Sequence, residues 1–163
     1  MALIPQDPEI LEDTIENNIT FGTGMSPENI KRFTDIACFT EIIERKQDKL
    51  KTYIGGNGDL STGERQRLAL ARALALSHDK EIFLMDESTS SLDSVTESRV
   101  FNNIFTEFPE KTIIASVHKS HLLYLFDIIY LFQDGKIIAS GSLGDLIERS
   151  DEFNNLWRGY NTK

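Results

Sequence analysis

The sequence is poor in cysteine, poor in positive charge and free of long hydrophobic runs, and each shortage excludes a class of protein. The single cysteine, Cys38, rules out a disulfide scaffold, and we interpret it as a buried structural thiol in a reducing, intracellular compartment. With 26 acidic against 17 basic side chains, the chain lacks the clustered positive charge that nucleic acid requires. The longest apolar run, His121–Phe132, contains Asp127 and is shorter than the roughly 20 residues of a membrane-spanning helix. We therefore expect no nucleic-acid partner and no membrane span in this chain.

What is present is an alternation of helical and strand patterns. Hydrophobic residues make up 40% of the 163 residues, which is enough for the core of one domain. Residues 27–76 have a helical pattern that glycines break at Tyr53–Ser61. Further along, two short apolar strands, Ile82–Met85 and Thr112–Val117, flank an amphipathic helix. Asp93 is expected to be the N-cap of this helix. The pattern predicts an α/β fold in which strand, helix and strand form a parallel crossover unit.

Shorter signals predict the remaining elements. Ala2–Pro5 resembles the end of another strand, and Asp127–Phe132 is a third apolar strand. It is followed by Gln133–Lys136, whose Asp-Gly pair is typical of a tight hairpin turn. Ser142 is expected to cap a short helix. The last segment has four large side chains at helical spacing that should pack on the sheet: Phe153, Leu156, Trp157 and Tyr160.

Polar residues follow two of the predicted strands where each strand ends. Asp86 and Glu87 come directly after one strand, and His118 follows the next. Ligands of open parallel sheets bind at the carboxyl ends of strands, so we expect these side chains to face one crevice. One carboxylate suits a hydrated Mg²⁺, and the other suits the orientation or deprotonation of water. A solvated turn is the alternative interpretation of the acidic pair.

A second candidate site lies at the start of an Ala- and Arg-rich helix. Ser61-Thr62-Gly63-Glu64 has the capping-box pattern, with Ser61 at the N-cap and Glu64 three residues later. A well-capped helix is one interpretation. However, Gly63 costs about 1 kcal/mol of helix stability relative to alanine. A glycine here lets an anion approach the backbone N–H groups of the helix N-terminus, which favours phosphate as the ligand.

The same stretch resembles the signature motif of ATP-binding cassette (ABC) ATPases, usually written LSGGQ. Leu60–Glu64 is followed by RQRLALARAL, similar to the Ala-rich helix of that family. Thr62 replaces the first glycine of the motif, and Glu64 replaces its glutamine.

Four further motifs of the family appear in the expected order. IPQDP, with Gln6, resembles the Q-loop, and IFLMDE resembles the Walker B strand. SSLD, ending at Asp93, is similar to the D-loop, and His118 stands where the switch histidine belongs. DESTSSLD is closer to the exporter form DEATSALD than to the importer form. The chain is therefore identified as a member of the exporter branch, from the Q-loop onward.

The resemblance implies a fold, cofactors and residue roles. It implies a partial P-loop NTPase fold with a mostly parallel sheet and an inserted α-helical signature subdomain at about 22–78, the catalytic α/β subdomain comprising 1–10 and 80–163. ATP and Mg²⁺ are the implied cofactors. Asp86 and Gln6 are expected at Mg²⁺, and Glu87, His118 and Gln6 in catalysis. The nucleotide-binding residues implied by the signature motif and D-loop are Ser61, Thr62, Gly63, Glu64 and Asp93.

The P-loop motif of the family, G-x-x-x-x-G-K-[ST], does not occur in this sequence. The cluster Gly55–Gly58 lacks the lysine and a preceding strand, and Gly56 replaces a glutamate that exporters often carry in the loop toward the transmembrane helices. Because the P-loop strand of the family lies inside the sheet, we expect this chain by itself to expose strand edges. It should then aggregate or find the missing half in another chain.

These observations predict an ATP-binding and ATP-hydrolysing component of an ABC transporter, of the exporter type. The implied partners are a P-loop-bearing half or second nucleotide-binding domain, and a transmembrane domain or subunit at whose cytoplasmic face the chain would lie. The alternative is a non-catalytic partner or truncated remnant that offers only its signature motif in trans. An unrelated helical-sheet interaction module is a third, weaker hypothesis.

Overall fold

A computed structural model of the protein describes residues 1–6, 9–55 and 59–161, without the side chains of Leu156 and residues 158–161. Asp7 and Pro8 of the predicted Q-loop and Gly56–Gly58 of the predicted glycine loop lie outside the described residues. The chain folds as two units, Met1–Ser116 and Val117–Lys163.

The first unit combines a parallel sheet with a group of helices. Its strands are β1 Ala2–Ile4, β2 Asp13–Thr14, β3 Tyr53–Ile54, β4 Ile82–Asp86 and β5 Thr112–Ser116. Its helices are α1 Ile15–Thr20, α2 Pro27–Ile36, α3 Thr40–Arg45, α4 Thr62–Ser77 and α5 Ser94–Glu107, with a 3-10 turn at Lys49–Lys51. The predicted strand, helix and strand unit is confirmed as β4, α5 and β5, whose strands pair in parallel.

The sheet has the strand order β1-β4-β5 and is parallel throughout. Alternation along the strands gives it one buried and one open face. Phe83 and Met85 are at most 1% exposed on the buried face. Leu3, Leu84 and Ile114 lie in register across the other face, where Leu3 is 61% and Ile114 53% exposed. Asp86 and Ser116, also in register, extend this open face at the carboxyl end of the sheet.

The helical region differs from its prediction in where it is interrupted. The pattern predicts a single break at Tyr53–Ser61, but α2 already ends at Ile36 and Cys38 has a left-handed φ of 53°. The helical placement of Cys38 is therefore wrong, because its backbone turns the chain between α2 and α3. Its thiol is half-buried, and this burial raises its pKa. The bounds 22–78 for a separate helical subdomain stay a prediction.

The second unit is built on a hairpin and two helices. Its elements are a 3-10 helix Ser120–Leu125, strands β6 Ile129–Gln133 and β7 Lys136–Gly141, and helices α6 Leu143–Arg149 and α7 Asp151–Asn161.

The hairpin and the helix cap of this unit are confirmed. Asp134 and Gly135 have φ values of 49° and 74°, as a type I′ turn requires. The Ser142 side chain accepts a hydrogen bond from the Asp145 N–H. Phe153 is buried in the small core and stacks on Trp157, whereas the side chains of Leu156 and Tyr160 lie outside the described residues. In the described part of the chain, no helix is both long and apolar enough to cross a bilayer.

Candidate functional site

The predicted acidic pair lies at the carboxyl end of the parallel sheet. Asp86 is the last residue of β4, and Glu87 follows with a left-handed φ of 43°. The Glu87 N–H donates to Ser116 Oγ at 2.9 Å, and the Ser116 hydroxyl donates to Asp86 Oδ1 at 2.8 Å. The Ser116 side chain, on the neighbouring strand β5, thus holds both the backbone turn at Glu87 and the carboxylate of Asp86.

Parallel pairing of β1 with β4 brings Gln6 to this pair. Gln6 follows β1 by two residues, and its Nε2 donates to Glu87 Oε2 at 2.8 Å. Two residues that are 81 positions apart and that were predicted to act together are therefore in direct contact. Hydrogen bonds with two other segments thus hold the acidic pair, and its role as a ligand site stays a prediction.

The predicted capping box at the start of α4 is confirmed. The Glu64 N–H donates to Ser61 Oγ at 3.3 Å, and the Ser61 N–H donates to Glu64 Oε2 at 2.9 Å. Arg45 Nη2 donates to the second carboxylate oxygen of Glu64 at 3.2 Å. Because both oxygens of Glu64 accept hydrogen bonds from this chain, the capping and anchoring of α4 explain the residue without a ligand.

Gly63 has a packing role that the sequence pattern did not reveal. A Cβ atom at this position would lie 3.1 Å from the Ser91 carbonyl oxygen and 3.4 Å from Leu92 Cδ2. The helix start therefore lies against the segment that resembles the D-loop, and only glycine permits that approach without a shift. Its contact with a phosphate stays a prediction.

Gln66 is a site residue that sequence reasoning missed. Its side chain is only 5% exposed. Its Nε2 donates to the Gln6 carbonyl at 3.1 Å and to Ser90 Oγ at 3.3 Å, while its Oε1 accepts from the Ser91 N–H at 3.0 Å. One amide thus ties α4 to two other motifs. The available signal was a glutamine on the buried side of an otherwise Ala- and Leu-lined helix.

Asp93 acts as the N-cap of α5. Its Oδ1 accepts from the N–H groups of Thr96 at 3.0 Å and Val95 at 3.1 Å. These backbone hydrogen bonds, that of Thr96 first, lower the pKa of Asp93. This confirms the predicted cap, and a nucleotide contact of Asp93 stays a prediction.

His118 belongs to the second unit, in the segment between β5 and the 3-10 helix Ser120–Leu125. The predicted meeting of His118 with Glu87 in one crevice stays a prediction.

The acidic pair suits a Mg²⁺ ion that arrives with phosphate groups. Among the described residues, no group of three or more His, Cys, Asp or Glu side chains is placed to hold a metal. Mg²⁺ is usually held by one or two carboxylates together with substrate phosphates and water. Asp86 supplies such a carboxylate, and Gln6, whose side chain contacts Glu87, carries an amide oxygen. This donor set fits Mg²⁺ in a nucleotide complex better than a metal caged by protein alone.

The sequence pattern of the family described as ABC transporter matches residues 1–90, more than half of the chain. These residues contain Gln6, the capped start of α4 and the Asp86–Glu87 pair. The chain belongs to the ABC transporter family. The resemblance seen in the motifs is therefore confirmed over the region that holds the site.

Comparisons that cover nearly the whole of this ABC transporter chain match it to a flippase and to an export protein. It is 34% identical over 160 residues to the ATP-dependent lipid A-core flippase of Vibrio vulnificus (strain CMCP6), covering 96% of this chain and 27% of the relative. It is also 34% identical over 160 residues to the β-(1→2)glucan export ATP-binding/permease protein NdvA of Rhizobium johnstonii. This match covers 97% of this chain and 27% of the relative. The chain thus spans about a quarter of the length of these curated relatives.

A solved structure gives the same result for the fold. The chain superposes on a bacterial Atm1-family ABC exporter with ATP bound, with a TM-score of 0.86 and 30% sequence identity, covering 97% of this chain and 28% of the other. The predicted fold class is therefore confirmed, and the names of these similar proteins agree with the predicted exporter type.

Proposed function

We propose that this chain is the ATP-hydrolysing portion of an ABC exporter, in which ATP hydrolysis is coupled to transport across a membrane. The observation that carries the proposal is the 2.8 Å hydrogen bond from Gln6 Nε2 to Glu87 Oε2 at the carboxyl end of the sheet. It holds the Glu87 carboxylate against the Gln6 side chain, in the part of the sheet where ligands of this fold class bind.

The acidic pair divides the chemistry between its two members. Asp86 and the amide oxygen of Gln6 would hold Mg²⁺, and Glu87 would orient or deprotonate the attacking water. Mg²⁺ supplies charge stabilisation on the transferred phosphoryl group when it is bound. His118 contacts the γ-phosphate in this proposal.

The helix start serves a second nucleotide. Thr62 and Gly63 offer backbone N–H groups, and Ser61 offers its hydroxyl group, at the positive end of the 16-residue α4 to an ATP held by the P-loop of a partner domain. Glu64 acts by holding the cap, and Asp93 lies in the adjoining segment. The partners are a P-loop-bearing half or second nucleotide-binding domain and a transmembrane domain, which places the chain at the cytoplasmic face of a membrane.

The test mixes this chain with a P-loop-bearing nucleotide-binding domain and measures phosphate release with Mg²⁺ and ATP. Glu87→Gln should lower turnover about 100-fold or more, because the carboxylate that orients water is lost, while binding of labelled ATP persists. Glu81→Gln, an exposed acid just before the other end of β4, is the matched control and should leave turnover unchanged. Equal turnover in wild type and Glu87→Gln would overturn the assignment of Glu87.

A non-catalytic role is the second candidate. The observation that favours it is the capping box of α4, because this chain forms the start of its signature helix from its own residues. A chain that only offered its signature motif in trans would depend on Ser61 and not on Glu87. In the same mixture, hydrolysis would then be lost in Ser61→Ala and retained in Glu87→Gln. Ser142→Ala, which removes the N-cap of α6, controls for the general cost of losing a cap.

A further inference from the structure

Ser116 makes two hydrogen bonds that converge on the acidic pair. It is the last residue of β5 and lies in register with Asp86 on the neighbouring strand. Its hydroxyl donates to Asp86 Oδ1 at 2.8 Å and accepts from the Glu87 N–H at 2.9 Å. A single hydroxyl group therefore contacts the carboxylate of one acid and the backbone of the other.

The backbone contact matters because Glu87 is in a conformation that its residue type disfavours. Its φ of 43° lies in the left-handed region, where Cβ crowds the following carbonyl oxygen. The N–H of such a residue at a strand end needs a partner that holds the turn in place. Ser116 Oγ provides that partner and thereby helps to direct the Glu87 side chain toward Gln6.

The carboxylate contact restrains the orientation of the Asp86 side chain. The Ser116 hydroxyl donates to Oδ1, and this hydrogen bond limits rotation of the carboxylate group. An aspartate that holds a hydrated cation gains from such a fixed orientation, because outer hydrogen bonds orient the ligands of a metal.

We propose that Ser116 is a positioning residue that holds Asp86 ready for Mg²⁺ and Glu87 ready for water. This inference rests on the proposed function for its catalytic meaning. Its structural part, the double hydrogen bond, stands on the geometry of the first unit alone.

The first test measures backbone amide hydrogen exchange of the full chain by NMR. In Ser116→Ala, exchange of the Glu87 amide should accelerate about tenfold relative to the Met85 amide in the interior of β4, because the Glu87 N–H loses its hydrogen-bond acceptor. Ser116→Thr keeps the hydroxyl and should restore protection. Thr112→Val, an exposed residue at the other end of β5, should match the wild type. An unchanged Glu87 amide in Ser116→Ala would overturn the proposal.

The second test measures the Mg²⁺ dependence of ATP hydrolysis in the mixture with the P-loop-bearing domain. Ser116→Ala should raise the Mg²⁺ concentration for half-maximal activity about three- to tenfold, and Ser116→Thr should reverse this. In an Asp86→Asn background, Ser116→Ala should add no further change, because both act through one carboxylate. A wild-type Mg²⁺ dependence in Ser116→Ala would overturn the link to Asp86.

The two tests separate the two proposals. If the wild-type mixture releases no phosphate, the proposed function fails, and amide exchange alone then decides whether Ser116 holds the acidic pair. If the wild-type mixture is active while both Ser116→Ala measurements equal the wild type, the role of Ser116 fails and the proposed function stands.

Discussion

Gln66 and Ser91 are joined by a 3.0 Å hydrogen bond between the side-chain Oε1 of the first and the backbone N–H of the second. The same amide donates to the Gln6 carbonyl, so the helix that follows the signature motif is tied to the segments before and after it. The Gln66 side chain is buried, which makes its replacement a sharp probe of this connection.

Gln66→Leu should lower the free energy of unfolding by about 1–3 kcal/mol, because a similar volume is kept while buried polar groups lose their partner. Gln47→Leu, at an exposed position of the same unit, should change it by less than about 0.5 kcal/mol. Urea denaturation followed by circular dichroism measures both. Equal stability of the two variants would show that the hydrogen bonds of Gln66 do not support the fold.

Two glycines in equivalent helix positions should respond differently to alanine. Gly63 and Gly144 each lie two residues after a serine N-cap, but a Cβ would meet the Ser91 carbonyl oxygen at 3.1 Å in the first case and only Ser142 Oγ at 3.9 Å in the second. Gly144→Ala should therefore stabilise α6 by about 0.5–1 kcal/mol, and Gly63→Ala should bring no such gain to α4. Amide exchange within each helix is the measurement. A full stabilisation of α4 in Gly63→Ala would contradict the packing role of Gly63.

Asp93 should make the stability of the first unit sensitive to acid. Backbone hydrogen bonds lower its pKa below the ordinary 3.8 in the folded state, so the folded protein binds its proton less readily than the unfolded chain. The resulting stabilisation is present above pH 3.8 and is lost as the pH falls through the lowered pKa.

Asp93→Asn keeps a good N-cap and removes this titration. Its stability should therefore fall less steeply than that of the wild type as the pH is lowered below about 4. Glu110→Gln, at an exposed position after α5, should keep the wild-type slope. Thermal unfolding at a series of pH values measures how steeply stability depends on pH. If Asp93→Asn shows the same pH dependence of stability as the wild type, the prediction is contradicted.

The open face of the parallel sheet should make the isolated chain associate with itself. Parallel sheets are normally covered on both faces, yet Leu3 and Ile114 are more than half exposed here. The double variant Leu3→Ser/Ile114→Thr should reduce self-association in sedimentation velocity at micromolar concentration. Val95→Ser, at a residue 71% exposed in the first turn of α5, is the control and should associate like the wild type. A wild-type chain that sediments as a monomer would contradict the expectation.

Local signals in the sequence predicted most of the elements. The capping box at Ser61 and the N-caps at Asp93 and Ser142 join groups within three residues of one another, and all three are confirmed. The Asp-Gly turn and the apolar strands β4 and β5 were likewise readable from neighbouring residues. The short ribbon of β2 and β3 was not predicted, because its two-residue strands carry almost no pattern.

By itself, the sequence determined the fold class, the family and the identity of the acidic pair, because motif order and hydrophobic periodicity are properties of the chain alone. Only the tertiary structure decided how that pair is held. Gln66 forms hydrogen bonds with residues that are 24 to 60 positions away in the sequence. Ser116 forms hydrogen bonds with residues that are 29 and 30 positions away. Strand pairing and helix packing create these contacts, and a single glutamine or serine in a sequence does not reveal which distant atoms it will meet.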